Sequence, residues 1–164
     1  MSAHDWLMDQ LERNQARFRV IHHAAEGRTG PASVLRRHAV AQAAKCLVIR
    51  VATGRRSRRY VLAVVPGDRR VDLDGLRAMY EGVEASFAAR DVAERLAGSV
   101  SGSVMPFARH PDLDLVVDPD LLLHDEIFFN AARLDRSVAL ATDDYVALAR
   151  PRVEPIAQQP LTSG

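Results

Sequence analysis

Apolar and polar positions alternate along the chain in two periods, one helical and one extended. From Asp5 to Phe18, Trp6, Leu7, Leu11 and Phe18 recur at broadly helical spacing, with Asp9, Glu12, Arg13 and Arg17 on the wet side, which predicts an amphipathic helix. Arg19 to Ala24 reads as a short strand, Glu26 to Pro31 as a loop, and Ser33 to Ala43 as a second helix. Cys46 to Val51 and Tyr60 to Val65 are continuous apolar runs rich in β-branched residues, joined by the polar Thr53 to Arg59. They predict a buried β-hairpin with a basic tip. Helices are expected over Asp72 to Gly82 and Ala88 to Ala97, with an irregular segment from Gly98 to Pro106. Leu113 to Val117, Glu126 to Ala131 and Ser137 to Ala141 read as strands, and Asp143 to Ala149 as a last helix with Thr142 as its cap.

Strands and helices are mixed without regular alternation, and the hairpins imply antiparallel neighbours. The expected class is therefore α+β, a single domain over residues 1–150 with a mixed, barrel-like β-sheet flanked by helices. Residues 151–164 contain Pro151, Pro155 and Pro160 and read as a loose C-terminal tail. Length and composition agree with one soluble domain: 164 residues, 48% hydrophobic and 26% charged. The longest apolar runs are far shorter than the ~20 residues that cross a bilayer. Asp5, Asp9 and Glu12 interrupt the start, so no secretory leader is expected, and the single cysteine, Cys46, excludes an internal disulfide framework. Both point to the cytoplasm.

A net charge of +1 predicts no strong overall attraction to nucleic acid, but its make-up is uneven: of 22 basic residues only Lys45 is a lysine. Lysine is a compact ammonium on a slim stem and enters a narrow pocket where the planar arginine fork does not fit. Lys45 is thus a candidate, with drift in one codon as the plain alternative. Arg55, Arg56, Arg58 and Arg59 form the densest basic patch; a solvated turn is the ordinary reading and contact with a phosphate backbone the functional one. The six histidines have no metal-motif spacing, so no metal and no cofactor are expected. Asp112, Asp114, Asp118 and Asp120 alternate with apolar residues, as on the wet edge of a strand. Around Ser99, Ser101 and Ser103 the glycines Gly98 and Gly102 stand four apart, which fails the nucleophile-elbow pattern. Such a loop can instead turn backbone N–H groups towards an anion or oxyanion, or simply connect two elements.

Four segments in order, Ala43-Ala-Lys45-Cys-Leu-Val-Ile, the strand ending Val65-Pro-Gly-Asp68, Gly102-Ser-Val-Met-Pro106-Phe107, and a late strand pair with Asn130-Ala-Ala-Arg133 between, resemble the YbaK-like aminoacyl-tRNA deacylases. These are relatives of the editing domain inserted in bacterial prolyl-tRNA synthetases, and the resemblance spans roughly residues 18 to 150. It implies a freestanding trans-editing hydrolase that cleaves the ester between a wrong amino acid and the tRNA 3′ end. By the same resemblance Lys45 positions the tRNA end, and the Gly102 to Pro106 backbone holds the aminoacyl carbonyl. Water attacks, assisted by a ribose hydroxyl, which requires no serine or cysteine nucleophile. The implied catalytic group is Lys45, Gly102 and Ser103. The implied substrate-binding group is His23, Cys46, Val104, Met105, Pro106, Asn130, Arg133 and Ser137, with Arg55, Arg56, Arg58 and Arg59 on the nucleic acid. Members that clear alanyl-tRNA carry asparagine after the lysine and histidine in the late strand, where this chain has Cys46 and Asn130. An Asn130 side chain able to bind a hydroxyl favours seryl- or threonyl-tRNA over alanyl or cysteinyl. Aminoacyl-tRNA is the implied partner, with a synthetase as a second. A non-catalytic module that binds a tRNA end or nucleotide is the alternative reading.

Overall fold

The computed structural model describes residues 1–160. Its helices are α1 (Ala3–Arg13), α2 (Thr29–Arg36), α3 (Leu73–Met79), α4 (Arg90–Ala97) and α5 (Thr142–Ala149). The strands are β1 (Phe18–His22), β2 (Ala44–Ala52), β3 (Arg58–Pro66), β4 (Glu84–Phe87), β5 (Leu113–Val117), β6 (Glu126–Arg133), β7 (Arg136–Ala141) and β8 (Arg152–Val153). The class is α+β as expected, but the strands do not form one barrel-like sheet. They form a three-stranded sheet, β1-β7-β6, and a five-stranded sheet, β4-β2-β3-β5-β8. A single parallel bridge between Ala43 and Phe128 links the two.

The hairpin β2–β3 is the centre of the larger sheet and runs in unbroken antiparallel register from Ala44 opposite Pro66 to Ala52 opposite Arg58. Both of its faces are buried, which is why its sequence is continuously apolar rather than alternating. Val48, Leu62 and Val64 face a core shared with the smaller sheet, α1 and α5, whereas Ile49, Val51, Val61, Ala63 and Val65 face a second core under α3. Four apolar residue types, Val, Leu, Ile and Ala, thus decide the layering before any polar group does.

Several elements depart from the sequence reading, β4 and β8 among them as strands it does not contain. Helix α1 ends at Arg13 and Phe18 opens β1, opposite Leu140 of β7. Helix α2 begins at Thr29, so Gly30 and Pro31 lie inside its first turn, where a missing proline N–H costs no helical hydrogen bond. It stops where Arg37 turns left-handed at φ 63°. Thr142 is the first residue of α5 rather than its cap, and its hydroxyl donates to the His124 carbonyl.

The segment after Pro151 is not loose where it is described. Strand β8 pairs in parallel with β5, and Ile156 and Ala157 are buried in the second core. Asp118, expected on a wet edge, is itself buried: one carboxylate oxygen accepts the N–H groups of Ile156 and Ala157 at 3.0 and 2.8 Å. Residues 161–164 of the expected tail lie outside the described residues.

Candidate functional site

Three chain segments and a polar network centred on β6 converge where the two sheets meet. The first is the loop after α4. Gly98 ends that helix in the left-handed region, and the Glu94 carboxylate accepts the Ser101 N–H at 2.6 Å, which holds its carboxyl below the usual range. Ser103 closes the next turn, its N–H and hydroxyl both donating to the Val100 carbonyl at 3.0 and 2.8 Å. Between them Gly102 sits at φ +87°, and a Cβ there would lie 2.7 Å from the Gly27 Cα. Only glycine combines that angle with that approach. Among the described residues the N–H groups of Gly102 and Val104 have no hydrogen-bond partner.

The second segment is Glu26-Gly27-Arg28, pressed against Gly102. The Glu26 carboxylate binds the Arg28 backbone N–H at 3.0 Å and its guanidinium at 2.9 and 3.1 Å, and this contact holds the Glu26 carboxyl down to about 2. The third is the start of β2. Lys45 is half-buried, and burial, with Arg70 nearby, lowers its pKa from the ordinary lysine value. Burial also pushes the Cys46 thiol up, away from thiolate chemistry.

The fourth contribution is a polar network behind the cavity, centred on Asn130 of β6. Its amide nitrogen donates to the carbonyls of Glu26 and Gly102, both at 2.8 Å. Its oxygen accepts from the Ser137 hydroxyl at 2.8 Å and from Arg36 Nη1 at 3.2 Å. Asn130 therefore has no capacity left for a substrate hydroxyl, contrary to the expectation from sequence. It ties the two loops together instead. Arg36, 7% exposed, also donates from Nη1 to Ser137 at 3.2 Å and from Nε to His38 Nε2 at 2.9 Å. All three partners are neutral, and burial lowers the guanidinium pKa to about 10. Its Nη2 group makes no hydrogen bond among the described residues, and Arg36 is one of the residues that line the cavity. His38 stacks on Phe128 with ring centroids 3.8 Å apart, and its Nδ1 faces the Ala39 carbonyl at 2.8 Å. That tautomer leaves Nε2 to accept from Arg36, and burial plus the Arg36 charge lower the His38 pKa to about 4.

The resulting cavity has a volume of about 230 Å³ and brings together Lys45, Cys46, Gly102, Val104 and Asn130 of the expected residues. His23 and Ser137 stand behind it: His23 Nε2 lies 2.7 Å from the Ser137 hydroxyl, which holds Asn130. The others lie elsewhere. The Ser103 hydroxyl is buried and spent on its own turn, Met105 belongs to the core, and Pro106 presents its carbonyl to Tyr145 at 2.7 Å. Arg133 is exposed and paired with Asp135 at 3.0 Å. The basic tip is at the far end of the hairpin, six strand residues or about 20 Å from Lys45. There Arg59 is held by Asp114 at 2.8 Å and lies over Tyr80. Thr29, Ala32 and Arg36 of α2, with Gly27 and Arg28, line the cavity without having been singled out from sequence. The glycines around residue 27 marked a loop, but nothing local marks Arg36 as buried.

Comparison with known proteins gives three concordant results. Residues 32–148 match the aminoacyl-tRNA editing domain family. The chain is 40% identical over 152 residues to the multifunctional Ser/Thr-tRNA deacylase ProXp-y of Escherichia coli K12, covering 92% of this chain and 90% of that one; the protein of strain O157:H7 matches equally. Two crystal structures share the fold. The hypothetical protein APE2540 superposes with a TM-score of 0.81 at 18% identity, over 93% of this chain and 99% of the other. A candidate trans-editing enzyme for prolyl tRNA synthetase superposes with a TM-score of 0.78 at 22% identity, over 97% and 99%.

Proposed function

The chain belongs to the aminoacyl-tRNA editing domain family, and from that membership we propose a freestanding trans-editing hydrolase that removes serine or threonine from mischarged tRNA. One observation carries the reading. The cavity joins a half-buried lysine to two backbone N–H groups without partners among the described residues, and burial holds its thiol, Cys46, away from the thiolate form.

In the proposed reaction the ester carbonyl lies against Gly102 and Val104, whose N–H groups stabilise the oxyanion formed when water adds. Each such donor is worth about 100- to 1000-fold in rate. The bond from carbon to the ribose oxygen then breaks. The water proton passes to that oxygen by way of the neighbouring ribose hydroxyl, leaving free amino acid and intact tRNA. Lys45 pairs with a phosphate of the tRNA end as a point charge. No side chain of the cavity needs to act as a base, which suits an ester that is already labile.

The amino-acid side chain faces the polar wall of Thr29 and Arg36. Arg36 Nη2 donates to its hydroxyl, a partner that an alanyl side chain does not offer. A site built to bind a hydroxyl can discriminate more strongly than an apolar pocket, which gains only about 1–3 kcal/mol per methylene. A cation at this wall also turns the substrate ammonium towards the mouth. No helix among the described residues is long and apolar enough to cross a membrane. On the proposed substrate alone, we place the enzyme in the cytoplasm with its tRNA. A synthetase is the second partner we assign, as the source of the mischarged tRNA.

The test is deacylation of seryl-, threonyl-, alanyl- and cysteinyl-tRNA by wild type and Lys45→Ala. Rapid release of serine and threonine, lost in the variant, is expected. Binding of tRNA without release of any amino acid would replace the enzyme by a tRNA-end-binding module.

A further inference from the structure

The cavity continues sideways into a second, more open depression of about 550 Å³, and Gly27, Cys46, Leu47, Gly102 and Val104 line both. Beyond those shared residues the depression has a largely apolar lining, with Val48 and the small side chains of Ala88 and Ala93. Phe87, the last residue of the edge strand β4, stands at its margin with 59% of its surface exposed. The chain is fixed on both sides of that ring. Phe87 is in register with Ile49 of β2, and the next N–H, from Ala88, donates to the Val48 carbonyl at 3.0 Å. Arg90 follows with a largely exposed guanidinium.

An exposed phenylalanine is unremarkable on a surface. Its position here has a chemical consequence, because the groove opens from the place where the ester is cleaved. The amino acid is joined to a ribose that carries a flat heteroaromatic base. With the ester carbonyl at Gly102 and Val104, and Lys45 on the phosphate, that base must leave the cavity within the span of one ribose. The depression is the adjoining space with an apolar floor and an aromatic wall.

We propose that Phe87 is the stacking platform for the terminal nucleobase of the acylated tRNA, with Arg90 beside it. This rests on the deacylase reading. Stacking of one base on one aromatic ring changes affinity by about ten-fold. The site thereby holds its substrate at three points: side chain at Arg36, phosphate at Lys45, base at Phe87.

The experiment uses wild type, Phe87→Ala and Phe87→Trp in single-turnover deacylation of seryl-tRNA over a range of enzyme concentrations. Alongside it, each protein is titrated into uncharged tRNA whose terminal adenine is replaced by fluorescent 2-aminopurine. Phe87→Ala is expected to raise the half-saturating concentration about ten-fold and to remove the fluorescence quenching seen with wild type. The half-saturating concentration should change more than the saturating rate, and Phe87→Trp should restore both affinity and quenching. Wild-type half-saturation together with wild-type quenching in Phe87→Ala would overturn the proposal. If wild type itself releases no amino acid, the deacylase reading fails, while the fluorescence titration still decides whether the base sits on Phe87.

Discussion

The amide of Asn130 donates to the carbonyl of Gly102 at 2.8 Å, across 28 residues of sequence and from one sheet to the loop that faces the other. This bond, with its twin to Glu26, ties together the two loops beside the cavity. Asn130 therefore acts by holding backbone, with both amide hydrogens and both oxygen lone pairs engaged inside the protein.

Asn130→Ala should take the partner from two carbonyls, the Ser137 hydroxyl and one guanidinium hydrogen. Each buried group so orphaned costs about 1–3 kcal/mol, so the urea midpoint should fall clearly. The catalytic constant of the folded fraction should drop at least ten-fold with a smaller change in KM, because the variant misplaces donors that act on the oxyanion. Equal loss of kcat and tRNA affinity would assign Asn130 to binding.

Gly102→Ala confronts both a left-handed angle and the Gly27 backbone at 2.7 Å. The angle alone costs about 1 kcal/mol or more, and the clash can be relieved only by parting the two loops. Deacylation should fall at least 100-fold while thermal unfolding shifts by a few degrees, checked by single-turnover kinetics and calorimetry. Gly98→Ala, whose added Cβ would meet only the Arg109 side chain at 3.7 Å, should affect stability and leave the rate near wild type.

His38 gives the fold a pH dependence of defined sign. Its pKa is near 4 in the folded chain and 6.5 in the reference, so the unfolded chain binds the extra proton first. The stability it secures is complete above pH 6.5 and is lost as pH falls from there to about 4. Denaturant midpoints of wild type and His38→Gln should converge towards low pH across that window. Parallel curves would show that His38 does not titrate between the two states.

The basic tip can be tested through salt. Replacing Arg55, Arg56, Arg58 and Arg59 by glutamine should weaken tRNA binding and flatten its dependence on salt by about 0.7–0.9 for each phosphate contact removed. Arg59 should contribute least, since Asp114 already neutralises it. An unchanged slope would return the tip to the role of a solvated turn.

The parts of this architecture that were legible in the sequence are those with a local cause. The β2–β3 hairpin announced itself because burial on both faces demands uninterrupted β-branched residues, and Lys45 because it interrupts an arginine-only usage. Strand β4 was missed because its four residues, Glu-Ala-Ser-Phe, are too few and too polar to show a period. The split into two sheets was hidden for a different reason: strand partners depend on pairing at long range, and β1 reaches β7 across more than a hundred residues. Arg36 and Asp118 carry the same lesson. A charged side chain reads as exposed until the groups that accept or donate to it, here Asn130 for one and the Ile156 and Ala157 amides for the other, are placed by the fold.

The burial of Ile156 and Ala157 against Asp118 also says something about the order of events in synthesis. The second core, and with it one face of the strand that carries Lys45, stays open until residues 152–157 have emerged from the ribosome. The smaller sheet and the glycine loop are complete earlier. A nascent chain can thus assemble the half of the cavity that holds the glycine loop before the lysine-bearing half is sealed, and residues 152–157 act as the latch.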